Sequence, residues 1–362
     1  MATKGIKHLI KPNLANITSY DPVDPPEELA KRAGIPADRV IKLNGNENPN
    51  PPHPAVRDAV AKTPFNIYPD PLQRKVRAAL AQYTGVDADH IIAGAGSDEL
   101  IDLLFRLFIQ PGDTVLDFDP TFGMYAFCAR LAEAKMKLVP RNEIFDIDID
   151  AVKKAIDSRS KIIFVSSPNN PTGNLASEEH VRALLDTGLV VVVDEAYFEF
   201  CKQSAAVMVP EYDNLVVLRT MSKWAGLAGL RVGYGIMSPS LVQHIIDIKS
   251  PYNLNIAAEA GLLASIEHAP ELQKHVDTIV TERERMVSLL KRLPGVKPWP
   301  SAGNFVLAQF APGKAQGVFD GLAKRGIFVR KFGSERLRDC FRISVGTSAQ
   351  TDGLIAAMKE LV

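Results

Sequence analysis

Between residues 86 and 235, short apolar runs rich in β-branched residues alternate with longer amphipathic stretches. The runs are HIIAGA, DTVLDFD, KMKLVP, KIIFVSS, LVVVVDEA, NLVVLR and RVGYGIM, and the stretches between them include SDELIDLLFRLFI and IDAVKKAID. This alternation predicts βαβ units on a mostly parallel sheet. Because several runs are apolar throughout, we expect helices to cover both faces of that sheet.

The sequence changes character after residue 255. A long charged helical stretch, AAEAGLLASIEHAPELQKHVDTIVTERERMVSLLKRL, precedes short runs around NFVLAQF, IFVR and CFRISV and a closing helix. This order is typical of a second α+β domain, and 362 residues exceed the size at which one core usually keeps growing. We therefore predict an α/β protein with an N-terminal arm (1–45), a large domain (46–255) and a small domain (256–362).

Charge and cysteine usage argue against several classes of function. The chain has 42 basic and 42 acidic side chains and no basic block, so we expect no nucleic-acid partner. Cys128, Cys201 and Cys340 are far apart and the seven histidines lack ligand spacing, so neither a disulfide nor a metal site is expected. No apolar run is long enough for a secretory signal or a membrane span, which favours a cytoplasmic protein without a membrane partner.

The segment TMSKWAGLAGLRVGYG, at 220–235, places Lys223 at the end of a predicted strand and before a run of small residues. Small residues let the backbone approach a ligand closely, and Thr220, Ser222 and Arg231 supply donors suited to a phosphate. A lysine beside a bound phosphate and removed from water is a candidate Schiff-base nucleophile. A solvated surface lysine is the alternative interpretation.

Other strand ends carry groups that a pyridoxal phosphate cofactor on Lys223 would need. Its pyridinium nitrogen needs a carboxylate, and Asp194 ends the apolar run LVVVVDEA. Its phosphate needs a helix N-terminus, and AGAGSDEL predicts a strand, a glycine-rich turn and a helix, with the Ser97 and Asp98 amides at the start. In SPNNPTG, Asn170 can donate to the phenolic oxygen. Each motif alone also fits a structural role: an aspartate cap, Ser97 as N-cap, or a plain turn.

Together these motifs resemble the pyridoxal phosphate-dependent aminotransferases of fold type I, and most closely the histidinol-phosphate aminotransferase family. The resemblance runs from Tyr20 to about Thr347 and is carried by LNGNENPNPP, YPDP, GAGSDEL, PTFGMY, SPNNPTG, VVDEAYFEF, TMSKWAGLAGLRVGY and FRISVGT. It implies the fold-type I α/β architecture, in which a large domain with a mostly parallel mixed sheet between helices joins a smaller α+β domain. The N-terminal arm would pack against the small domain and a partner subunit.

The resemblance also implies roles for individual residues. Lys223 would bind pyridoxal 5′-phosphate covalently and move a proton between substrate and cofactor. Asp194 would pair with the pyridinium nitrogen, and Asn170 and Tyr197 would bond the phenolic oxygen. The other cofactor-binding residues would be Ser97, Asp98, Thr220, Ser222, Arg231, the stacking ring of Phe122, and Tyr68 from the neighbouring subunit. Two positions depart from the family pattern: Phe122 stands where relatives often carry tyrosine, and Trp224 is bulkier than expected.

The implied substrate site consists of Tyr20, Asn46, Arg330 and Arg342. Arg342 lies where relatives hold a carboxylate with a bidentate fork. Here it would take the phosphate of histidinol phosphate in one half-reaction and the carboxylate of glutamate in the other, with Arg330 as a second anion contact. Because Tyr20 and Tyr68 would serve the partner's site, the resemblance implies a homodimer with shared active sites.

The implied reaction converts L-histidinol phosphate and 2-oxoglutarate to imidazole acetol phosphate and L-glutamate, in histidine biosynthesis. An aromatic aminotransferase acting on phenylalanine or tyrosine has nearly the same motifs and stays open as the alternative. A decarboxylase of phosphorylated threonine shares the scaffold. A non-catalytic regulator that keeps the fold is a remote alternative, since the chain has no basic face for DNA.

Overall fold

A computed structural model describes residues 6–362 of the chain. Its strands are β1 (Ile41–Leu43), β2 (Ile91–Gly94), β3 (Thr114–Asp119), β4 (Lys135–Pro140), β5 (Ser160–Ser166), β6 (Val190–Asp194), β7 (Leu215–Thr220), β8 (Gly233–Ile236), β9 (Val296–Pro298), β10 (Phe305–Phe310), β11 (Ile327–Lys331) and β12 (Cys340–Ser344).

The helices are α1 (Pro26–Ala33), α2 (Pro54–Ala61), α3 (Arg74–Thr84), α4 (Ser97–Phe108), α5 (Met124–Leu131), α6 (Ile149–Ala155), α7 (Glu178–Leu185), α8 (Pro239–Ile248), α9 (Ile256–Glu267), α10 (Ala269–Leu290), α11 (Ala315–Lys324) and α12 (Ser348–Lys359). Short 3₁₀ turns connect several of them, including Phe198–Phe200 after β6 and Ala228–Leu230 before β8.

The larger sheet contains all seven strands predicted between residues 86 and 235, in the order β2-β8-β7-β6-β5-β3-β4. Strand β8 is antiparallel to its neighbours β2 and β7, and the other pairings are parallel. Along β5, Ile163 and Val165 pack in one hydrophobic core, whereas Ile162 and Phe164 pack in another. Each fully buried side chain of this kind contributes about 1.5–3 kcal/mol to folding. Helices α3, α7 and α9 cover the first face and α4, α5 and α8 the second, which confirms the predicted burial of both faces.

The smaller sheet has the order β1-β11-β12-β10-β9. Strands β10, β11 and β12 are the three predicted in the C-terminal part, but β1 and β9 were not predicted. Each of these two spans only three residues, too few to show an alternating pattern. Strand β1 is parallel to β11, with Ile41 opposite Ile327, so the N-terminal part of the chain contributes to a sheet formed mainly by the C-terminal part.

The predicted long helical stretch after residue 255 consists of two helices. Helix α9 ends at Glu267 and α10 begins at Ala269, with Pro270 in the first turn of α10. Proline lacks the N–H that a continuous helix would need there, and it is favoured where a helix begins. The division into an arm (1–45), a large domain and a small domain stays a prediction, and residues 1–5 of that arm lie outside the described part of the chain.

The parallel strands bring polar residues to one edge of the larger sheet. Asp119, Ser166, Asp194 and Thr220 are the last residues of β3, β5, β6 and β7. In an α/β sheet, ligands bind outside the carboxyl ends of the strands. The fold therefore places a binding site at this edge, opposite residues from the smaller sheet.

Candidate active site

A cavity of about 550 Å³ lies at the carboxyl edge of the larger sheet and is closed on its other side by residues of β11 and β12. Its wall contains all of the predicted site residues except Tyr68: Tyr20, Asn46, Ser97, Asp98, Phe122, Asn170, Asp194, Tyr197, Thr220, Ser222, Lys223, Arg231, Arg330 and Arg342. Residues from the N-terminal segment to β12 therefore meet in one place.

Lys223 follows β7 in a loop that hydrogen bonds fix from two sides. The Ser222 amide donates to the Thr220 hydroxyl at 3.1 Å, and the Asn48 side chain donates to the carbonyl oxygens of Lys223 (2.9 Å) and Trp224 (2.8 Å). The lysine Nζ contacts the Gly45 carbonyl oxygen at 3.4 Å. Burial and, secondarily, the positive charge of Arg342 lower the pKa of Lys223 to about 8. A larger neutral fraction near neutral pH makes this amine a better nucleophile and base.

Trp224 fits the interior despite its size. Its side chain is buried, and its ring stacks on Tyr83 with centroids 5.4 Å apart and planes 4° from parallel. This stack fixes Trp224, the residue next to Lys223. The bulky side chain that departs from the family pattern therefore anchors the loop.

Asp194 ends β6 with its carboxylate buried in the cavity wall. The Tyr125 hydroxyl donates to Oδ2 at 2.6 Å and the Ala196 amide donates to Oδ1 at 3.0 Å. Burial raises the pKa of Asp194 to about 6, and these two hydrogen bonds oppose that rise. A cationic group brought to this carboxylate would stabilise its ionised form.

Tyr125 was not predicted as a site residue, although it belongs to the motif PTFGMY. It lies three residues after Phe122 and begins the buried face of α5. Its ring stacks on Phe164 of β5 with centroids 4.5 Å apart and meets Phe122 edge-on at 5.6 Å. The available signal was a second aromatic residue three positions after Phe122 in the same motif.

The turn between β2 and α4 faces Arg231. Gly96 has a φ of +79°, and a Cβ there would lie 2.6 Å from Nη2 of Arg231. Ser97 is the first residue of α4 and not its N-cap, and the Gly96 cap position provides no side-chain hydrogen bond. The start of this helix therefore opens towards the cavity without a side-chain cap, as an anion site requires. Nη2 of Arg231 also bonds Oδ2 of Asp98 at 3.0 Å.

Arg342 of β12 is buried beside Asn170. Its Nη1 donates to Oδ1 of Asn170 and its Nη2 donates to the Asn44 carbonyl oxygen, both at 2.6 Å. Among residues 6–362 its buried Nε has no hydrogen-bond partner. Burial lowers the pKa of Arg342 to about 10, which still leaves the group charged at neutral pH.

Asn46 joins the two halves of the cavity. Its side chain donates to the Tyr197 hydroxyl at 2.9 Å, and its backbone amide donates to Oγ of Ser344 at 2.8 Å. Asn304 donates to the Asn46 carbonyl oxygen at 3.0 Å. These contacts connect a residue after β1 with the segment that follows β6 and with β12, which fixes the distance between the two sheets at the site.

Arg330 of β11 already has an anionic neighbour. Its Nη2 bonds the Asp21 carbonyl oxygen at 2.7 Å and Oδ2 of the Asp21 side chain at 3.1 Å. Asp21 was not predicted as a site residue, because a contact across 309 positions leaves no local pattern. The preceding residue, Tyr20, meets Phe122 edge-on with centroids 6.2 Å apart and lines the cavity of its own chain, whereas the sequence predicted it in the site of a partner.

Tyr68 lies outside this cavity. Its side chain is 76% exposed and stacks on the exposed Tyr252 with ring centroids 4.3 Å apart. The chain's own fold therefore does not bring Tyr68 to its own Lys223. Its predicted role in the site of a partner subunit stays a prediction.

Comparisons with known proteins agree with this architecture. Residues 38–358 match the aminotransferase class I and II family. The chain is 44% identical to a histidinol-phosphate aminotransferase of Roseiflexus castenholzii, over 99% of each chain. It is 40% identical to the chloroplastic histidinol-phosphate aminotransferase 1 of Arabidopsis thaliana, over 97% of this chain and 85% of that protein.

A solved structure shows the same fold. The histidinol-phosphate aminotransferase of Sinorhizobium meliloti, in complex with pyridoxal 5′-phosphate, superposes with a TM-score of 0.89 at 25% identity, covering 97% of each chain. The expected fold-type I α/β architecture is confirmed. The cavity, the strand order and the full-length similarity lead to one conclusion: the chain belongs to the class I and II aminotransferases.

Proposed function

We propose that the protein is a pyridoxal phosphate-dependent aminotransferase that transfers the amino group of L-histidinol phosphate to 2-oxoglutarate. One observation carries the proposal: the amine of Lys223 lies in the same cavity as the buried carboxylate of Asp194 and three arginines, which are Arg231, Arg330 and Arg342. The names of the full-length relatives support the choice of donor.

The residues present suit the cofactor. A lysine with a lowered pKa suits its aldehyde, and the buried carboxylate of Asp194 suits its ring nitrogen. The uncapped start of α4 and the guanidinium of Arg231 suit its phosphate, together with the hydroxyls of Thr220 and Ser222. Asn170 and Tyr197 would face its phenolic oxygen and Phe122 its ring face.

The cofactor, when bound, supplies an aldehyde that takes up amines and a ring that accepts electrons from the donor carbon. Lys223 would hold the cofactor and then, as a free amine, remove the proton from the carbon that carries the donor's amino group. Asp194 would keep the ring nitrogen protonated, because its carboxylate is held by Tyr125 and the Ala196 amide. Burial of both groups excludes water that would otherwise compete for these protons.

The substrate side of the cavity is suited to an anion. Arg342 and Arg330 both line it, and Tyr20 contacts it from the N-terminal segment. A guanidinium binds phosphate and carboxylate with the same pair of parallel donors. The two arginines would therefore hold the phosphate of the donor in one half-reaction and a carboxylate of 2-oxoglutarate in the other.

We also propose a homodimer in which each subunit completes the site of the other. Tyr68 and Tyr252 are exposed, and so are the apolar side chains of Phe65, Ile67 and Leu72, which lie close to Tyr68 in the sequence. Burial of these side chains against a second copy would bring Tyr68 to the partner's cofactor phosphate. The division at residues 45/46 and 255/256 into arm, large domain and small domain is part of the same proposal.

None of the helices among residues 6–362 has the length and apolar character needed to cross a membrane. The cytoplasmic location expected from the sequence stays a prediction.

An aromatic amino-acid aminotransferase is the second candidate. Phe332 lines the cavity, and the Arg342 guanidinium lies 5.9 Å from the centre of its ring. Together with Tyr20 and Phe122 it gives the substrate side apolar faces on which the ring of phenylalanine or tyrosine can pack.

The first test locates the cofactor. Protein loaded with pyridoxal phosphate is reduced with borohydride, digested and mapped by mass spectrometry. We expect a pyridoxyl group on Lys223 and on none of the other lysines, which serve as internal controls. Lys223→Ala should lose the visible absorbance of the bound cofactor and slow transamination at least about 10²–10⁴-fold. Label on another lysine, or unchanged turnover, would contradict the proposal.

The second test identifies the donor. Turnover of L-histidinol phosphate, phenylalanine and tyrosine is compared with 2-oxoglutarate as the common acceptor. We expect the largest kcat/KM for L-histidinol phosphate, because a phosphate dianion engages both arginines. A larger kcat/KM for phenylalanine or tyrosine would select the aromatic aminotransferase instead.

A further inference from the structure

The cavity contains one carboxylate whose position differs from that of the other acidic groups. Asp21, Glu47, Asp98 and Asp194 all line the cavity. Glu47 is paired with Lys42, Asp98 with Arg231, and Asp194 with the Tyr125 hydroxyl. Asp21 is paired with Arg330, one of the two arginines on the substrate side.

The Asp21–Arg330 pair is asymmetric. The Arg330 side chain is 20% exposed and belongs to β11, whereas the Asp21 side chain is 85% exposed. An ion pair with one such exposed partner is weak, about 0–1 kcal/mol. The Arg330 guanidinium is therefore fixed in the cavity wall, whereas the Asp21 carboxylate can move away from it with little loss of free energy.

The segment that carries Asp21 can move with it. Residues 17–25 contain no helix or strand, and none of them is fully buried. We call them the entrance segment. Two arginines from elsewhere in the fold bond the backbone of this segment. Arg130 donates to the Thr18 carbonyl oxygen at 3.4 Å, and Arg330 donates to the Asp21 carbonyl oxygen at 2.7 Å.

We propose that Asp21 is a specificity-determining residue, acting as an internal anion that occupies Arg330 until an anionic substrate displaces it. This proposal rests on the proposed function, since it assumes that the substrate's phosphate or carboxylate binds on the arginine side of the cavity.

The displacement selects for charge. A substrate that brings its own anion replaces the Asp21 carboxylate at Arg330 and keeps that cation neutralised. A neutral amine would leave Arg330 with Asp21 and gain no contact there. A phosphate dianion competes better than a single carboxylate, because it offers more charge and more acceptor atoms to Arg330 and Arg342, which both line the cavity.

The test measures binding of inorganic phosphate by calorimetry to protein loaded with pyridoxal phosphate, so that the cofactor's own phosphate site is filled. Asp21→Asn keeps the shape of the side chain and removes its charge. We expect this variant to bind phosphate about two- to fivefold more tightly than the unmodified protein. Asp24→Asn is the matched control, because Asp24 belongs to the same segment, pairs with Arg32 and does not line the cavity. It should bind phosphate as the unmodified protein does.

Arg330→Met supplies the second comparison. It should weaken phosphate binding, and adding Asp21→Asn to it should cause no further change in affinity, because the competing pair no longer exists. An effect of Asp21→Asn that persists without Arg330 would overturn the proposal. Unchanged phosphate affinity in Asp21→Asn would also overturn it. Lower affinity would overturn it too, because it would mean that Asp21 closes the site around the anion.

Hydrogen exchange gives a readout that does not depend on affinity. Phosphate should accelerate exchange of the entrance-segment amides in the unmodified protein, and Asp21→Asn should exchange fast with or without phosphate. Slower exchange on phosphate binding would show closure and contradict the proposal. Neither measurement involves turnover, so failure of L-histidinol phosphate as a donor would refute the proposed function and leave these results unaffected.

Discussion

At the scale of single residues, the site depends on groups that the protein removes from water. Burial lowers the pKa of Lys223 and raises that of Asp194, so each is shifted towards its neutral form. Each neutral form costs less to bury than the charged form. The cofactor's ring nitrogen would restore the charge of Asp194, so part of the binding free energy compensates for this burial.

Tyr125→Phe tests the hydrogen bond that holds Asp194. In cofactor-free protein we expect a loss of roughly 1.5–3 kcal/mol in the free energy of unfolding at pH 8, where the carboxylate is ionised. The pKa of Asp194 is about 6 in the folded protein, against an ordinary value of 3.8. Between pH 3.8 and pH 6, the carboxyl is therefore protonated in the folded state and ionised in the unfolded state. The carboxyl is therefore neutral at pH 5, and the loss should fall to about 1 kcal/mol there. Urea unfolding at both pH values measures it.

Tyr212→Phe is the control for that experiment. The Tyr212 hydroxyl accepts a hydrogen bond from Arg182 outside the cavity. Its removal should cost less than about 0.5 kcal/mol at either pH. A pH-independent cost for Tyr125→Phe would show that its hydroxyl does not act on the Asp194 carboxylate.

At the scale of elements, the start of α4 is positioned by the close approach of β8. A Cβ on Gly233 would lie 2.5 Å from the Ser97 amide nitrogen and 2.8 Å from the Arg219 carbonyl oxygen. Both are backbone atoms, which cannot turn aside as a side chain can. Glycine at this strand end therefore sets where the phosphate-facing helix begins.

Gly233→Ala should push the start of α4 away from β8. We expect a loss of about 1–3 kcal/mol in the free energy of unfolding and roughly tenfold weaker binding of pyridoxal phosphate. Gly229→Ala, in the same glycine-rich run, is the matched control because a Cβ there meets nothing within 4 Å. If both variants bind the cofactor equally well, the spacing between β8 and α4 does not determine the cofactor site.

At the scale of the whole molecule, the proposed dimer predicts complementation between defective subunits. Lys223→Ala and Tyr68→Ala proteins are unfolded together and refolded as a mixture. Each heterodimer would contain one site with both defects and one intact site, so the mixture should recover about a quarter of the normal activity. Tyr68 acting within its own chain would give no recovery.

The control mixture combines Lys223→Ala with Asp194→Asn. Both residues line the same cavity of one chain, so no heterodimer contains an intact site. This mixture should stay inactive. Recovery of activity in this mixture would mean that Lys223 or Asp194 also acts in the site of the partner subunit.

The sequence predicted the parts of the site that follow strands. Lys223, Asp194 and Asn170 follow apolar runs, and parallel strands bring their carboxyl ends together, so their meeting required no knowledge of packing. Tyr125 and Asp21 could not be found this way. The first depends on how α5 packs on β5, and the second on a contact between an irregular segment and a strand 309 positions away.

The hydrogen bond between Asn46 and Ser344 has a consequence for the order in which the protein matures. It joins a residue just after β1 to strand β12, 298 positions later. During synthesis on the ribosome, the lysine and aspartate emerge well before the two C-terminal arginines. We therefore expect a nascent chain to acquire its reactive amine first and its discrimination between substrates only after Arg330 and Arg342 have also emerged.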